Sequence, residues 1–213
     1  MNAVSPALQE GLDRVCETVE RDPRDDVVTL TGARRAFCAG ADLKVVQGLS
    51  PDPWRWRGFM DLWHRAYNRI EALPRSVVAG VNGLALAGGL ELMIGCDLVV
   101  ADKGAKFGDQ HANFGLVAGG GGSQPLPPVI GLRRAKELML LGGWLGAREA
   151  LEWGLVNRVA PAGQVTKMPD EVTNALAALS SSAGRTVKAL ANRALEVELG
   201  AGLALAKALV ADS

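Results

Sequence analysis

The sequence is constrained most by short apolar segments, rich in β-branched residues, that alternate with amphipathic helical segments. Alternation of this kind predicts an α/β fold in which helices separate the strands. The 213 residues suffice for one domain with a substantial core, and no linker or repeat argues for a second. The strands predicted from the pattern are 25–32, 76–82, 97–102 and 155–159.

Several helices are marked by their ends. Ser5 followed by Pro6 is a typical helix start, and apolar residues on one face predict a helix over 5–21. A second helix is predicted over 54–73, where Pro74 ends a stripe of large apolar side chains that is more typical of a core or an interface than of a ligand site. The stripe consists of Trp56, Phe59, Trp63, Tyr67 and Ile70. A loop over 34–43, helices near 133–141 and 147–153, and two or three helices after Pro169 complete the pattern.

The amino-acid composition argues against some kinds of binding partner. The 23 Lys and Arg residues balance the 23 Asp and Glu residues without a basic block, which argues against nucleic acid or an acidic membrane surface. Three well-separated cysteines are typical of reduced thiols in a cytoplasmic protein, and the first residues do not resemble a secretory signal. The weakly charged run 76–96 contains five glycines, Asn82 and Glu91. These residues favour a buried strand, turn and helix over a membrane span.

The stretch VNGLALAGGLELMIG places one carboxylate, Glu91, in an apolar environment. Acidic residues are common in the first turn of a helix because they complement its dipole, but that accounts best for an exposed side chain. Gly88 and Gly89 allow a ligand to approach the backbone closely. Backbone N–H groups at a helix start stabilise an oxyanion, and a carboxylate in a dry site acts as a base. The stretch therefore predicts a catalytic site.

Phosphate-binding motifs do not fit the glycines. Gly83 and Gly88 have the P-loop spacing, but Gly89 and Leu90 stand where that loop requires Lys and a hydroxyl residue. The quartet 119–122 lacks the spacing of a dinucleotide-binding loop and instead favours a helix start. No metal site is predicted.

Four segments in order resemble the enoyl-CoA hydratase/isomerase (crotonase) family: FCAGADL, VNGLALAGGLELMIGCDLVVAD, FGDQHANFGL with GGGGSQ, and AREALEWGLVNRV. The resemblance covers roughly residues 1–160 and is weaker beyond. It implies an α/β spiral of ββα units (1–160) and a helical C-terminal region (161–213) of the same domain. Compared with the family, the chain begins after the first β-hairpin and ends before the last helical element. We therefore expect a partial chain or a shortened member.

The resemblance also implies roles for individual residues. The N–H groups of Ala41 and Gly88 would hold a thioester carbonyl, and Glu91 would be the first of two catalytic glutamates. His111 occupies the position of the second glutamate, twenty residues later. The segment 119–122 would border the acyl pocket. The implied CoA-binding residues are Ala39, Gly40, Asp42, Leu43, Lys44, Gly89 and Gly115, with Lys44 near the phosphates.

His111 is either a loop histidine or a catalytic one, and Asp109 either orients it or caps a turn. An imidazole transfers protons near pH 7, so the change from glutamate to His111 is compatible with the reaction that the resemblance implies, hydration of a 2-enoyl-CoA to a 3-hydroxyacyl-CoA. Enoyl-CoA isomerisation, thioester hydrolysis and CoA binding without catalysis stay open. The resemblance further implies an acyl-CoA substrate, no permanently bound cofactor, fatty acid metabolism, and a homotrimer or hexamer.

Overall fold

Two four-stranded sheets organise the fold, which a computed structural model describes for residues 1–22, 27–165, 169–179 and 181–211. The first sheet is parallel throughout and has the order β1 (Val27–Thr31), β3 (Ser76–Val81), β5 (Leu98–Asp102), β8 (Arg158–Ala160). The second has the order β2 (Ala36–Cys38), β4 (Leu84–Leu86), β6 (Lys106–Gly108), β7 (Leu145–Gly146). Only β7 runs antiparallel to its neighbour.

The chain spirals between the two sheets. Each of the pairs β1–β2, β3–β4 and β5–β6 gives one strand to each sheet, and a helical segment follows each pair. This confirms the predicted α/β spiral of ββα units. The helices are α1 (Pro6–Arg21), α2 (Leu43–Leu49), α3 (Pro53–Ala72), α4 (Gly88–Ile94), α5 (Leu126–Ile130), α6 (Leu132–Leu141), α7 (Ala147–Glu152), α8 (Pro169–Ala177), α9 (Ser181–Arg193) and α10 (Leu199–Ala211).

The long N-terminal helices begin where their caps place them. The Ser5 hydroxyl accepts the Leu8 N–H at 3.3 Å, and the Asp52 carboxylate accepts the Trp54 N–H at 2.9 Å. A proline follows each cap, so an N–H that would have no partner is absent. The predicted helices over 5–21 and 54–73 are thereby confirmed.

Two local predictions are wrong. The expected loop over 34–43 contains β2 and the start of α2, and the strand expected over 155–159 lies at Arg158–Ala160. Strands of three residues show too few positions for an alternating pattern, and β2 is buried at all three of them. Residues 25 and 26 of the first predicted strand lie outside the described residues.

The C-terminal helices cover the first sheet. Val172 of α8 packs with Val78 of β3 and Val100 of β5. On α9, the Lys188 ammonium donates to the Asp97 carboxylate at 2.8 Å and to the Arg75 carbonyl at 2.9 Å. Across the described ranges, none of the helices is both long and apolar enough to cross a membrane.

Candidate active site

A cavity of about 350 Å³ lies where α3, α4 and the segment 111–120 meet the loop that follows β2. Five of the residues predicted for the site line it: Ala41, Gly88, Glu91, His111 and Gly115. The rest of its lining is formed by Val4, Val46, Trp56, Phe59, Met60, Trp63, Leu116, Val117, Gly119 and Gly120. Most of this lining is apolar, so the few polar groups act in a medium where electrostatic interactions are strong.

Glu91 is the buried carboxylate of this cavity. It lies in the first turn of α4 and is 2% exposed. Its Oε1 accepts the Gly122 N–H at 2.9 Å, a contact across 31 residues of sequence. Within the described part of the chain, Oε2 has no hydrogen-bond donor. One oxygen is therefore fixed, and the other is left for a ligand or a water molecule.

Gly120 packs against the free oxygen of Glu91. A Cβ built at Gly120 would collide with both Glu91 Oε2 and the indole Nε1 of Trp63. Those two atoms are therefore neighbours on one face of this glycine, and only a residue without a side chain fits there. The segment 119–122, expected from the sequence as a helix start, forms a turn instead, and α5 begins at Leu126.

Two backbone amides face the cavity without an acceptor. Val4 bonds to both neighbours of Ala41, donating to the Gly40 carbonyl at 2.8 Å and accepting the Asp42 N–H at 2.9 Å. In such a parallel bridge the N–H of the central residue, Ala41, points away from the bridging strand. Gly88 is the first residue of α4, so its N–H has no partner within the helix. Among the described residues, neither amide has an acceptor.

The residue before this helix has a strained backbone. Ala87 has φ 48° and ψ −119°, a conformation that side-chain-bearing residues rarely adopt and that costs about 1–3 kcal/mol. Its N–H donates to the Gly108 carbonyl of β6 at 2.9 Å, which anchors the turn. The strained peptide leads directly into Gly88, so the fold holds the orientation of that N–H group at an energetic cost.

His111 is tethered to Asp109. Its ring Nδ1 lies 3.1 Å from Asp109 Oδ1, and its backbone N–H donates to the same oxygen at 3.3 Å. Asp109 thus both orients the ring and closes the turn. Because a carboxylate accepts at Nδ1, that nitrogen carries the proton and Nε2 is available to the cavity.

The charges around His111 favour its protonated form. Burial lowers the pKa of His111, but the hydrogen bond to Asp109 and the charges of Asp109 and Glu91 outweigh burial and raise the pKa above 6.5. Asp109 itself is 2% exposed. The raised pKa increases the protonated fraction of the imidazole at a given pH, which suits a residue that passes a proton on.

The remaining predicted CoA-binding residues lie outside the cavity lining. Asp42 caps α2 by accepting the Lys44 N–H at 3.0 Å, and Leu43 and Lys44 are exposed beyond Ala41. The other three are placed as follows: Ala39 donates to the Met1 carbonyl, Gly40 is buried against Ala87, and Gly89 is buried against Cys38.

The sequence did not predict the side of the cavity that α3 forms. The prediction of a core stripe is confirmed for Phe59, Trp63 and Ile70, but Phe59 and Trp63 also line the cavity, as does Trp56. The hydrogen bond from Gly122 to Glu91 was also missed. The four consecutive glycines were the available signal, because such a run lets the chain approach a buried group closely.

Cysteine thiols and potential metal ligands are the other chemically reactive groups of the described chain. Cys38 is near the cavity, but burial raises the pKa of its thiol to about 11, so the reactive thiolate is scarce at neutral pH. In the portion of the chain that the structure describes, no group of three or more metal-ligating side chains is found. The polar groups predicted from the sequence that the structure places at the cavity are Glu91, His111 and the two amides.

The fold and the site define a class: α/β enzymes in which a buried carboxylate and a histidine line one cavity together with two backbone amides. The chain belongs to the enoyl-CoA hydratase/isomerase family, whose model matches residues 1–212. It is 37% identical over 205 residues to a Bacillus subtilis protein named after this family, covering 96% of this chain and 78% of that protein. The short-chain-enoyl-CoA hydratase of Clostridium acetobutylicum is 32% identical over 205 residues, with the same coverage of both chains.

A solved structure agrees with this assignment. The crystal structure of an enoyl-CoA hydratase from Bacillus anthracis has a TM-score of 0.94 and 35% sequence identity, covering 98% of this chain and 80% of that chain. The family and the fold predicted from the sequence are thereby confirmed. The roles of the individual site residues stay predictions.

Proposed function

We propose that the protein hydrates a 2-enoyl-CoA to a 3-hydroxyacyl-CoA. The observation that carries this proposal is the state of Glu91, a buried carboxylate with one oxygen held by Gly122 and the other directed to the cavity that His111 and two free amides share. Membership of the enoyl-CoA hydratase/isomerase family supports the same reaction.

The first step builds an enolate. The N–H groups of Ala41 and Gly88 bind the thioester oxygen and stabilise the negative charge that develops on it; one such donor typically contributes about 10²–10³ in rate. Glu91 Oε2 takes a proton from water while the water oxygen bonds to the β-carbon. The electrons of the α,β double bond move onto the thioester, which becomes an enolate.

The second step returns a proton to carbon. The His111 imidazolium delivers the proton of Nε2 to the α-carbon, and the enolate collapses to the thioester. The raised pKa of His111 supports this role, because it increases the protonated fraction at neutral pH. The proton held by Glu91 then replaces the one that His111 gave up, so the net addition is one water molecule.

The acyl chain and the CoA portion of the substrate would contact different parts of the protein. Trp56, Phe59 and Met60 offer apolar surface for an acyl chain. We assign the CoA portion to the segment 39–44 together with Gly89 and Gly115. The exposed ammonium of Lys44 suits the CoA phosphates.

We further propose that the protein acts in the cytoplasm, in fatty acid metabolism, as a homotrimer or hexamer without a permanently bound cofactor. Its three cysteines are free and buried, which supports a reducing compartment. Leu140, Leu141 and Trp144 are exposed on or just after α6, which supports contact between subunits.

The test is the mass of crotonyl-CoA after incubation with the wild-type protein, with Glu91→Gln and with Glu149→Gln, which changes an exposed glutamate of α7. We expect the wild type and Glu149→Gln to add one water, and Glu91→Gln to be slower by about 10²–10⁴. Unchanged crotonyl-CoA in all three samples would reject hydration of this substrate.

The other reactions give different products. Release of free CoA would identify a thioester hydrolase, and conversion of a 3-enoyl-CoA to its 2-enoyl isomer would identify an isomerase. Binding of CoA without turnover of any acyl-CoA would identify a non-catalytic homologue. Glu91→Gln and His111→Ala, measured with each substrate, show whether the same pair of side chains carries the observed reaction.

A further inference from the structure

The indole N–H of Trp63 is a buried hydrogen-bond donor without an acceptor. Trp63 is 3% exposed, and its Nε1 is among the four buried side-chain polar atoms that lack a partner in the described part of the chain. The others are Gln9 Oε1, Arg75 Nε and Asp109 Oδ2. Of these four residues, Trp63 lines the cavity, and Gln9, Arg75 and Asp109 do not.

The indole N–H of Trp63 lies close to two of the predicted site residues, Glu91 and Gly88. Trp63 Nε1 and Glu91 Oε2 lie against the same face of Gly120. On the other side, a Cβ built at Gly88 would lie 3.7 Å from Trp63 Cζ2 and 3.8 Å from Glu91 Oε2. The indole therefore packs beside both the predicted base and the residue that carries the predicted oxyanion-binding amide.

A buried donor without an acceptor is costly. Leaving such a group unsatisfied costs about 1–3 kcal/mol, so buried indole N–H groups usually have a partner. Trp63 Nε1 and Glu91 Oε2 are neighbours that do not bond to each other. An oxygen atom placed between them would satisfy both, accepting from the indole and donating to the carboxylate.

We propose that Trp63 binds the oxygen atom that is added to the β-carbon, first as water and then as the 3-hydroxyl group of the product. This inference rests on the proposed hydration. The water donates one hydrogen to Glu91 Oε2, accepts the Trp63 N–H with one lone pair, and bonds to the β-carbon with the other. Its O–H bond breaks toward Glu91, and the C–O bond forms. An indole N–H only donates, so Trp63 keeps its proton throughout.

The proposal predicts selective recognition of a hydroxyl group. We would measure the binding of 3-hydroxybutyryl-CoA and of butyryl-CoA, which lacks the hydroxyl, by calorimetry. Trp63→Phe keeps an aromatic ring and removes the N–H. We expect this variant to bind 3-hydroxybutyryl-CoA about 10-fold more weakly than the wild type does, and to bind butyryl-CoA less than about 2-fold more weakly. Trp56→Phe, on the same helix and in the same cavity, is the matched control and should change both affinities by the same factor.

The outcomes separate this inference from the proposed function. Suppose that the wild-type protein hydrates crotonyl-CoA but Trp63→Phe lowers the affinity for both ligands by the same factor. The indole then only shapes the cavity, and the inference is wrong. No change in either affinity also overturns it. If the wild type binds neither ligand, the proposed function itself fails, and the inference fails with it.

A second measurement uses the wild-type fold in case Trp63→Phe does not fold. The chain has five tryptophans, so ¹⁵N-labelled indole gives five N–H signals. Phe variants of Trp54, Trp56, Trp144 and Trp153 assign four of them and leave Trp63. We expect 3-hydroxybutyryl-CoA to move the Trp63 proton signal downfield and to slow its exchange with solvent, relative to butyryl-CoA. Equal spectra with the two ligands would overturn the proposal.

Discussion

The buried Asp109 and the half-buried His111 form a hydrogen-bonded pair, with Oδ1 of Asp109 accepting from both Nδ1 (3.1 Å) and the backbone N–H (3.3 Å) of His111. A single carboxylate oxygen therefore sets the position of the ring, its tautomer and part of its charge. His111 begins the 3₁₀ turn that follows β6, Asp109 lies between that strand and the turn, and the ring lines the same cavity as the buried Glu91. An imidazole held in this way has one nitrogen, Nε2, to offer to a substrate.

Asp109→Asn should lower the pKa of His111. The amide removes the negative charge that favours the imidazolium, while burial, which disfavours it, remains. The chain has only two histidines, so the His111 ring proton can be assigned with a His64→Asn variant and titrated by NMR. We expect a lower midpoint and a fall in kcat on the order of 10-fold. An unchanged midpoint would show that Asp109 does not set the charge of His111.

His111 should also link stability to pH. Its pKa is raised in the folded protein, so its contribution to the free energy of unfolding is complete below about 6.5 and is lost as pH rises through the folded-state value. The substitution His111→Asn should therefore lower the free energy of unfolding, relative to the wild type, by more at about pH 5.5 than at about pH 8.5. Urea denaturation at both pH values measures this. A larger loss at the higher pH would contradict the sign of the shift.

Gly120→Ala should abolish most of the activity. The added methyl group would collide with Glu91 Oε2 and Trp63 Nε1, so the free oxygen of the base must move. We expect kcat for crotonyl-CoA to fall by about 10²-fold or more, as expected when acid–base geometry is lost. Gly119→Ala is the neighbouring control, because its methyl would meet nothing closer than 3.6 Å. It should keep most of the activity; equal losses in the two variants would contradict the collision.

Ala87→Gly should raise stability. Glycine adopts φ 48°, ψ −119° without the penalty that a Cβ imposes, although it gains entropy in the unfolded chain. The net expected gain in the free energy of unfolding is about 1 kcal/mol by urea denaturation. Ala85→Gly makes the same chemical change in the regular strand β4, where the backbone is not strained. It should lower the free energy of unfolding by about 1 kcal/mol. A loss at both positions would show that Ala87 is not strained.

The sequence by itself determined the parts of this protein that depend on neighbouring residues. The cap Ser5 with Pro6 and the apolar period of the next residues decide α1, and Pro74 ends the stripe that becomes α3. The β-branched runs decide β3 and β5. The burial of Glu91 also followed from its apolar flanks, and the resemblance to the family added the pairing of Glu91 with His111.

Tertiary structure decided which residues that are distant in the sequence meet at the site. Gly122 reaches Glu91 across 31 residues, and Trp63 arrives from a helix whose pattern indicated only a core. The second sheet is built from strands of two or three residues, which are held by pairing with their neighbours in that sheet. Such contacts depend on sheet register and packing rather than on local propensity, so no short window of the sequence contains them. The sequence therefore supplies the two side chains predicted to act as base and acid, and the fold supplies the cavity that both line.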